Sequence, residues 1–118
     1  MQIRNETRGT LIADKVELAR TFWSRGRGLM GRASLPEGFA LIIYPEWSIH
    51  TFFMRLPIDV LFVDKANVIV GLQHRMPPSR PFAGVSPAKG RYVVELPAGV
   101  LEATGTQVGD TIAIDPPL

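Results

Sequence analysis

The chain contains no cysteine and only two histidines, His50 and His74, among its 118 residues. Without a thiol it cannot form disulfides, iron–sulfur clusters or thiolate zinc sites, and it cannot use cysteine as a catalytic nucleophile. Two histidines are also too few for a zinc site built from three histidines of one chain. We therefore expect no metal site of these kinds.

Long apolar segments are also missing. The longest purely apolar run, residues 39–44, has six residues, whereas a helix needs about 18 or more to cross a bilayer. The first 15 residues lack the apolar stretch of a secretory signal. We expect a chain without a membrane span, located in the cytoplasm.

Hydrophobic residues make up 46% of the chain and charged residues 20%, which is typical of a globular protein. The length predicts a single domain over residues 1–118. Eleven glycines and ten prolines interrupt the chain frequently. They disfavour a helix bundle and favour many short strands. We predict a mainly β fold, either a β-sandwich or a partly closed barrel, with one or two short helices.

The local patterns predict where these elements lie. Continuous or alternating apolar residues predict strands over residues 9–13, 15–20, 39–44, 48–54, 58–64, 68–74, 91–96 and 111–115. A short helix is predicted over residues 22–30, with Thr21 as its N-cap and with Phe22 and Met30 as core contacts. A second helical turn is predicted over residues 98–104.

Positive charge is concentrated in two segments, although the formal net charge is only +2. Residues 20–32 and residues 75–91 each contain four cationic side chains and no acidic one. Such segments can attract an anion, a nucleic acid or an acidic protein surface. They can equally be a solvated surface, and we do not expect nucleic-acid binding.

Gly26, Gly28 and Gly31 match the spacing G-x-G-x-x-G. No strand–helix–strand unit surrounds them, so we do not expect a dinucleotide site. The glycines are expected to end the helix, or to leave free amides beside Arg25, Arg27 and Arg32 that could bind a phosphate or carboxylate. The signatures of phosphate-binding loops, zinc proteases and serine hydrolases are absent from the sequence. We therefore expect no cofactor.

Two acidic residues, Asp59 and Glu95, lie within apolar strands. A carboxyl group in such surroundings must be hydrogen-bonded, paired or shifted in pKa. Asp59 could bind backbone amides of the turn 54–58, pair with Arg55, or act in a pocket. Glu95 could form a buried ion pair with an arginine or belong to a site. If these two side chains converge with His50, they would suffice for acid/base hydrolysis or weak metal binding.

Three sequence blocks, taken together, carry a family resemblance. They are residues 27–32 (RGLMGR), residues 51–64 (TFFMRLPIDVLFVD), and Val94-Glu95-Leu96 followed by Ala98-Gly99 and Gly109-Asp110. In order and spacing they resemble the bacterial and archaeal family called domain of unknown function 192, or the uncharacterised ACR family, over about residues 10–115. The resemblance implies a compact, mainly β, jelly-roll-like sandwich and supplies no catalytic residue. Many relatives carry an export signal, which this sequence does not show.

We therefore predict a non-enzymatic binding or accessory domain for a small anionic ligand or a protein segment. Its predicted binding residues are Arg25, Arg27, Gly28, Arg32, His50, Asp59 and Glu95. The alternative is a hydrolase-like enzyme that uses His50 with Asp59 or Glu95 as acid and base.

Overall fold

A computed structural model describes the backbone of all 118 residues and every side chain except that of Phe22. The predicted core contact of Phe22 therefore lies outside the described side chains. Along this backbone run the strands β1 (Gln2–Asn5), β2 (Thr10–Ala13), β3 (Lys15–Ala19), β4 (Phe39–Ile43), β5 (Ser48–Ile49), β6 (Ile58–Val63), β7 (Ile69–Met76), β8 (Ala83–Gly84), β9 (Tyr92–Pro97) and β10 (Ile112–Asp115). The helices are α1 (Phe22–Arg27) and α2 (Val100–Thr104). The mainly β fold with two short helices is confirmed.

The central layer is a five-stranded sheet in the order β3-β4-β9-β6-β7. Strands β3 and β4 are parallel, and the other neighbouring pairs are antiparallel. Every residue of β4 and of β6 is buried. Largely apolar sequences suit such strands, which are covered on both faces. Strand β9 lies in the middle of the sheet.

One face of the central sheet shares a core with the second sheet, whose order is β10-β1-β2. Ala40 and Ile42 of β4 pack in this core with Ile3, Ile12 and Ile112. The two sheets bury a common apolar layer and do not close into a barrel. Of the two predicted architectures, the sandwich therefore describes the chain better.

The other face of the central sheet is covered by irregular segments. Leu41 and Phe62 pack there with Leu29 from the turn after α1, with Met54, and with Ala83 of β8. Strands β5 and β8 form a separate two-stranded sheet above this face. These covering segments enclose the candidate site.

The predicted strand over residues 48–54 is wrong beyond Ile49, where β5 ends. Thr51 turns instead toward the loop before β8: its amide donates to the Arg80 carbonyl at 2.9 Å, and its Oγ1 accepts from the Arg80 amide at 2.7 Å. Phe53 has a φ of 64°, which a strand does not allow. Side chains 50, 52 and 54 therefore do not share one strand face.

The local signals located the start of α1 but not its end, and they missed two short strands. The Thr21 Oγ1 accepts a hydrogen bond from the Ser24 amide at 3.0 Å, so the predicted N-cap is confirmed. Helix α1 ends earlier than predicted, because Gly28 takes a φ of 49°. Strands β1 and β8 were not predicted; β1 pairs with β2 and β10, and β8 pairs with β5.

Neither helix, at six and five residues, is long enough to cross a membrane, and this holds for all residues that the structure describes.

Candidate functional site

A groove of about 300 Å³ lies over the central sheet, between α1, residues 46–50 and residues 81–82, and Glu95 lines its base. We call it the Glu95 groove. Apolar side chains, including Leu29 and Met54, form much of its lining. A largely apolar cleft with a few polar groups is the usual form of a small-ligand site.

Glu95 lies in β9, the middle strand of the central sheet, opposite Leu41 of β4 and Val60 of β6. Only 3% of the surface of Glu95 is exposed to solvent. Its Oε1 is buried and has no hydrogen-bond partner among the described residues. Burial raises the pKa of this carboxyl to about 8, although the positive charge of Arg32 acts to lower it. Glu95 is therefore mainly a neutral carboxylic acid at pH 7.

The buried ion pair expected for Glu95 does not form within the part of the chain described. Arg32, whose charge reaches Glu95, places its Nη1 3.2 Å from the Glu17 Oε2. Its guanidinium also lies 5.1 Å from the centre of the Phe39 ring. Arg32, whose charge lowers the pKa of Glu95, is thus engaged elsewhere, and burial still raises that pKa.

Gly28 allows the turn after α1 to approach this carboxyl. A Cβ at this position would lie 3.2 Å from the Glu95 Oε1, and the φ of 49° is one that side-chain-bearing residues rarely adopt. Glycine is suited to both requirements. The glycine spacing noted in the sequence therefore serves a tight turn over a buried acid.

The amides of this turn do not form the anion cradle that the sequence had allowed. The Gly28, Met30, Gly31 and Arg32 amides each donate to a backbone carbonyl. The turn also follows the C-terminal end of α1, where the helix dipole repels anions. These four amides are therefore not available to an anion, whereas cationic side chains can attract one.

Arg25 and Arg27 supply such side chains from the last turn of α1, and both line the groove. The Arg25 Nη1 donates to the Pro45 carbonyl at 3.0 Å, which holds the guanidinium in place. The Arg25 Nε is buried and has no hydrogen-bond partner among the described residues.

His50 and Glu46 line the same groove from the segment around β5. The His50 Nδ1 accepts from the Phe52 amide at 3.2 Å, and the two rings lie 5.3 Å apart. With Nδ1 as acceptor, the neutral ring carries its proton on Nε2. The Glu46 Oε1 accepts from the Trp47 amide at 3.1 Å.

Asp59 lies outside the groove lining and is completely buried. Its Oδ1 accepts from the Arg75 amide at 2.8 Å, and its Oδ2 accepts from the Gly99 and Leu101 amides at 3.0 and 2.9 Å. These amides belong to the end of β7 and the start of α2, and not to the turn 54–58. Asp59 thereby caps α2, whose own N-cap residue, Gly99, has no side chain to do so.

The structure thus brings together five of the seven predicted binding residues: Arg25, Arg27, Gly28, His50 and Glu95. Asp59 and Arg32 do not line the groove, so the postulated convergence of His50, Asp59 and Glu95 is not observed. Among the described residues, no group of three or more histidine, aspartate or glutamate side chains could hold a metal ion.

Sequence reasoning missed Glu46 and Phe82, which also line the groove. They lie next to β5 and β8, paired strands of two residues each. Two residues are too few for an alternation pattern. No local signal marked these positions.

A larger cavity, of about 800 Å³, lies beside Tyr92 and Asn67. Its inner polar groups are partnered: the Tyr92 hydroxyl donates to the Asn67 Oδ1 at 2.7 Å, and the Arg91 Nε donates to the Tyr44 hydroxyl at 2.9 Å. Burial, with the nearby charge of Asp64, raises the pKa of Tyr92 above its ordinary value. Of the side chains described, those lining this cavity leave no buried polar atom unpartnered, so we favour the smaller groove.

The fold and groove define a small, mainly β domain with a cleft over one face of its central sheet. The chain belongs to the family described as Uncharacterized ACR (DUF192), whose model matches residues 3–114. The resemblance seen in the sequence is confirmed, and it extends to β1.

Curated relatives are described as UPF0127 proteins. The chain is 34% identical over 113 residues to a UPF0127 protein of Thermococcus sibiricus, covering 92% of this chain and 71% of that protein. It is 35% identical over 113 residues to a UPF0127 protein of Pyrococcus furiosus, covering 92% of this chain and 93% of that protein.

A crystal structure of a protein of unknown function from Novosphingobium aromaticivorans has a similar fold. Its TM-score is 0.84 at 21% identity, over 97% of this chain and 84% of that one. These similarities establish the family and the fold. The cytoplasmic location expected from the sequence stays a prediction.

Proposed function

We propose that this chain is a non-catalytic binding domain whose Glu95 groove holds a small anionic ligand. One observation carries the proposal: the two buried polar atoms without partners among the described side chains, Arg25 Nε and Glu95 Oε1, belong to residues lining this one groove. Leaving a buried polar group unsatisfied costs about 1–3 kcal/mol. A ligand that bonds both atoms would recover this free energy.

The charges around the groove favour an anion. At pH 7 Glu95 is mainly neutral, because its pKa is raised to about 8. Arg25 and Arg27 then outweigh the single charge of Glu46. A cleft lined by an excess of one charge concentrates ligands of the opposite charge.

Isothermal titration calorimetry at pH 7 with acetate, inorganic phosphate and D-glucuronate tests this proposal. We expect at least one of these anions to bind, and Arg25→Ala to weaken that binding about tenfold, the loss of one charge-assisted hydrogen bond. Arg4→Ala is the matched control, because Arg4 is an exposed arginine on β1 of the other sheet. Flat titrations with all three anions would refute the proposal.

The alternative of acid/base hydrolysis gains support from one observation. A carboxyl with a pKa of about 8 can hold a proton for a leaving group at neutral pH, and His50 lines the same groove. The test is hydrolysis of p-nitrophenyl acetate and p-nitrophenyl phosphate. Activity that disappears in both Glu95→Gln and His50→Ala would favour the enzyme over the binding domain.

A further inference from the structure

We infer that the Glu95 groove selects a small anion that also carries a hydroxyl group, as hydroxy acids and acidic sugars do. The inference rests on the proposed function and deepens it. It follows from the different chemistry of the two unpartnered groups at the groove, Arg25 Nε and the Glu95 carboxyl.

The Arg25 Nε can only donate a hydrogen bond. The guanidinium is already oriented by the bond from its Nη1 to the Pro45 carbonyl, and Arg27 adds a second positive charge at the groove. An ionised oxygen is the strongest acceptor for such a donor. The anionic group of the ligand is therefore assigned to the arginine side of the groove.

The Glu95 carboxyl requires a different partner. It sits between Leu41 and Val60 of the neighbouring strands, with Ile43 also lining the groove. In its neutral form it both donates and accepts hydrogen bonds. A hydroxyl group also does both, so it satisfies this carboxyl whichever oxygen holds the proton. A second anionic group would only accept, and these apolar surroundings would penalise its charge.

The size and lining of the groove limit the rest of the ligand. A volume of about 300 Å³ is at the small end of ligand sites. Met30, Ile49 and Met54 also line the groove and offer apolar contacts. The carbon skeleton of a hydroxy acid or of one sugar ring matches this arrangement.

Two pairs of probes separate the contributions of the hydroxyl and the anion. Lactate and propionate differ by one hydroxyl, and D-glucuronate and D-glucose differ by the carboxylate. Calorimetric titrations at pH 6.5, where Glu95 is protonated, should show lactate binding about tenfold more tightly than propionate, the effect of one net hydrogen bond. D-glucuronate should bind more tightly than D-glucose.

Variants at position 95 assign the preference to the carboxyl. Glu95→Met keeps the length of the side chain and removes its polar atoms, so lactate and propionate should then bind equally. Glu95→Gln both donates and accepts, so it should retain the preference and serve as a second variant if Glu95→Met does not fold. Glu37→Gln, at an exposed position away from the groove, is the control.

The outcomes distinguish this inference from the proposed function. Equal affinity of the native protein for lactate and propionate would overturn the hydroxyl preference while leaving anion binding intact. A preference that persists in Glu95→Met would also overturn it, because the hydroxyl would then be recognised elsewhere. Binding of none of the four probes, nor of acetate or phosphate, would overturn both.

Discussion

Asp59 and Glu95 are carboxyl groups on adjacent strands of one sheet, β6 and β9, and both are almost completely buried. Asp59 accepts three backbone hydrogen bonds and joins β6 to the end of β7 and the start of α2. The Oε1 of Glu95 accepts none, and burial raises the pKa of Glu95 instead. The same sequence pattern, an acid among apolar strand residues, thus yields a structural cap in one case and a candidate ligand group in the other.

The largest effect on stability is expected from removing the Asp59 carboxylate, which accepts hydrogen bonds from three backbone amides. Asp59→Ala leaves the Arg75, Gly99 and Leu101 amides without an acceptor, and we expect it to reduce the free energy of unfolding by on the order of 4 kcal/mol. Urea denaturation followed by circular dichroism measures this loss. Asp115→Ala, at an exposed strand end, should change stability by less than about 0.5 kcal/mol. Equal stability of the two variants would show that Asp59 is not a cap.

Replacing Glu95 should raise stability at neutral pH, whereas replacing Asp59 should lower it. The pKa of Glu95 is raised from 4.5 to about 8 on folding, so between these values the folded state binds one more proton than the unfolded state. Stability should then fall as pH rises through this window, by up to about 1.4 kcal/mol per pH unit, and level off above pH 8. Glu95→Gln should lose this slope and be more stable than the native protein at pH 7, by on the order of 3 kcal/mol.

Denaturant titrations at several pH values between 4 and 9 check this slope. Arg25, Arg27, Glu46 and His50 also face the groove, and Arg32 acts on Glu95 through its charge. The difference between native protein and Glu95→Gln isolates Glu95 from these groups. Glu37→Gln should retain the native slope, and parallel curves for native protein and Glu95→Gln would contradict the raised pKa.

Two glycines of α1 and its cap should respond in opposite directions to alanine. Gly28→Ala places a Cβ 3.2 Å from the Glu95 Oε1 at a φ of 49°, and we expect a loss of about 2 kcal/mol. Gly26→Ala adds a Cβ with no neighbour within 4 Å, inside a helix, and should stabilise the protein by about 0.5–1 kcal/mol. Thermal unfolding measures both, and a stabilised Gly28→Ala variant would show that the close approach to Glu95 is not required.

The smallest effect concerns anion affinity. Above pH 8 an ionised Glu95 should repel a bound anion, so the affinity for D-glucuronate should fall several-fold between pH 7 and pH 9, an effect similar to that of one exposed charge pair. Calorimetry at the two pH values tests this. Glu95→Gln should bind with little change over the same range, and an equal decline in that variant would assign the pH effect to another group.

Much of the fold was predictable because its signals are local. Strand β4 is a continuous apolar run, and β6 and β9 are apolar apart from one acidic residue each, Asp59 and Glu95. The hairpin of β6 with β7 closes over a short turn. The segment 48–54 was mispredicted because its backbone bonds with residues 79–80, about 30 positions away. Strand β1 was missed because its partners are β2 and the distant β10.

The candidate site was predictable only in its residue types. Asp59 and Glu95 carry the same local signal, and their different roles depend on amides 16, 40 and 42 positions from Asp59. Glu95 and Gly28 are 67 positions apart and meet only because α1 and its cap fold over β9. Chemistry-bearing residues could therefore be identified from sequence, whereas their grouping required the tertiary structure.

The groove is lined by segments that we expect to differ in the free energy of local unfolding. Glu95 lies on β9, which is paired with a strand on each side. The backbone amides of β9 should therefore exchange with solvent deuterium only on global unfolding. Another part of the lining lies in and next to β5 and β8, which pair over two residues each, and we expect the amides there to exchange faster than those of β9. Under the proposed function, we expect a ligand to enter by local opening of this part of the lining, which leaves the hydrogen bonds of β9 intact.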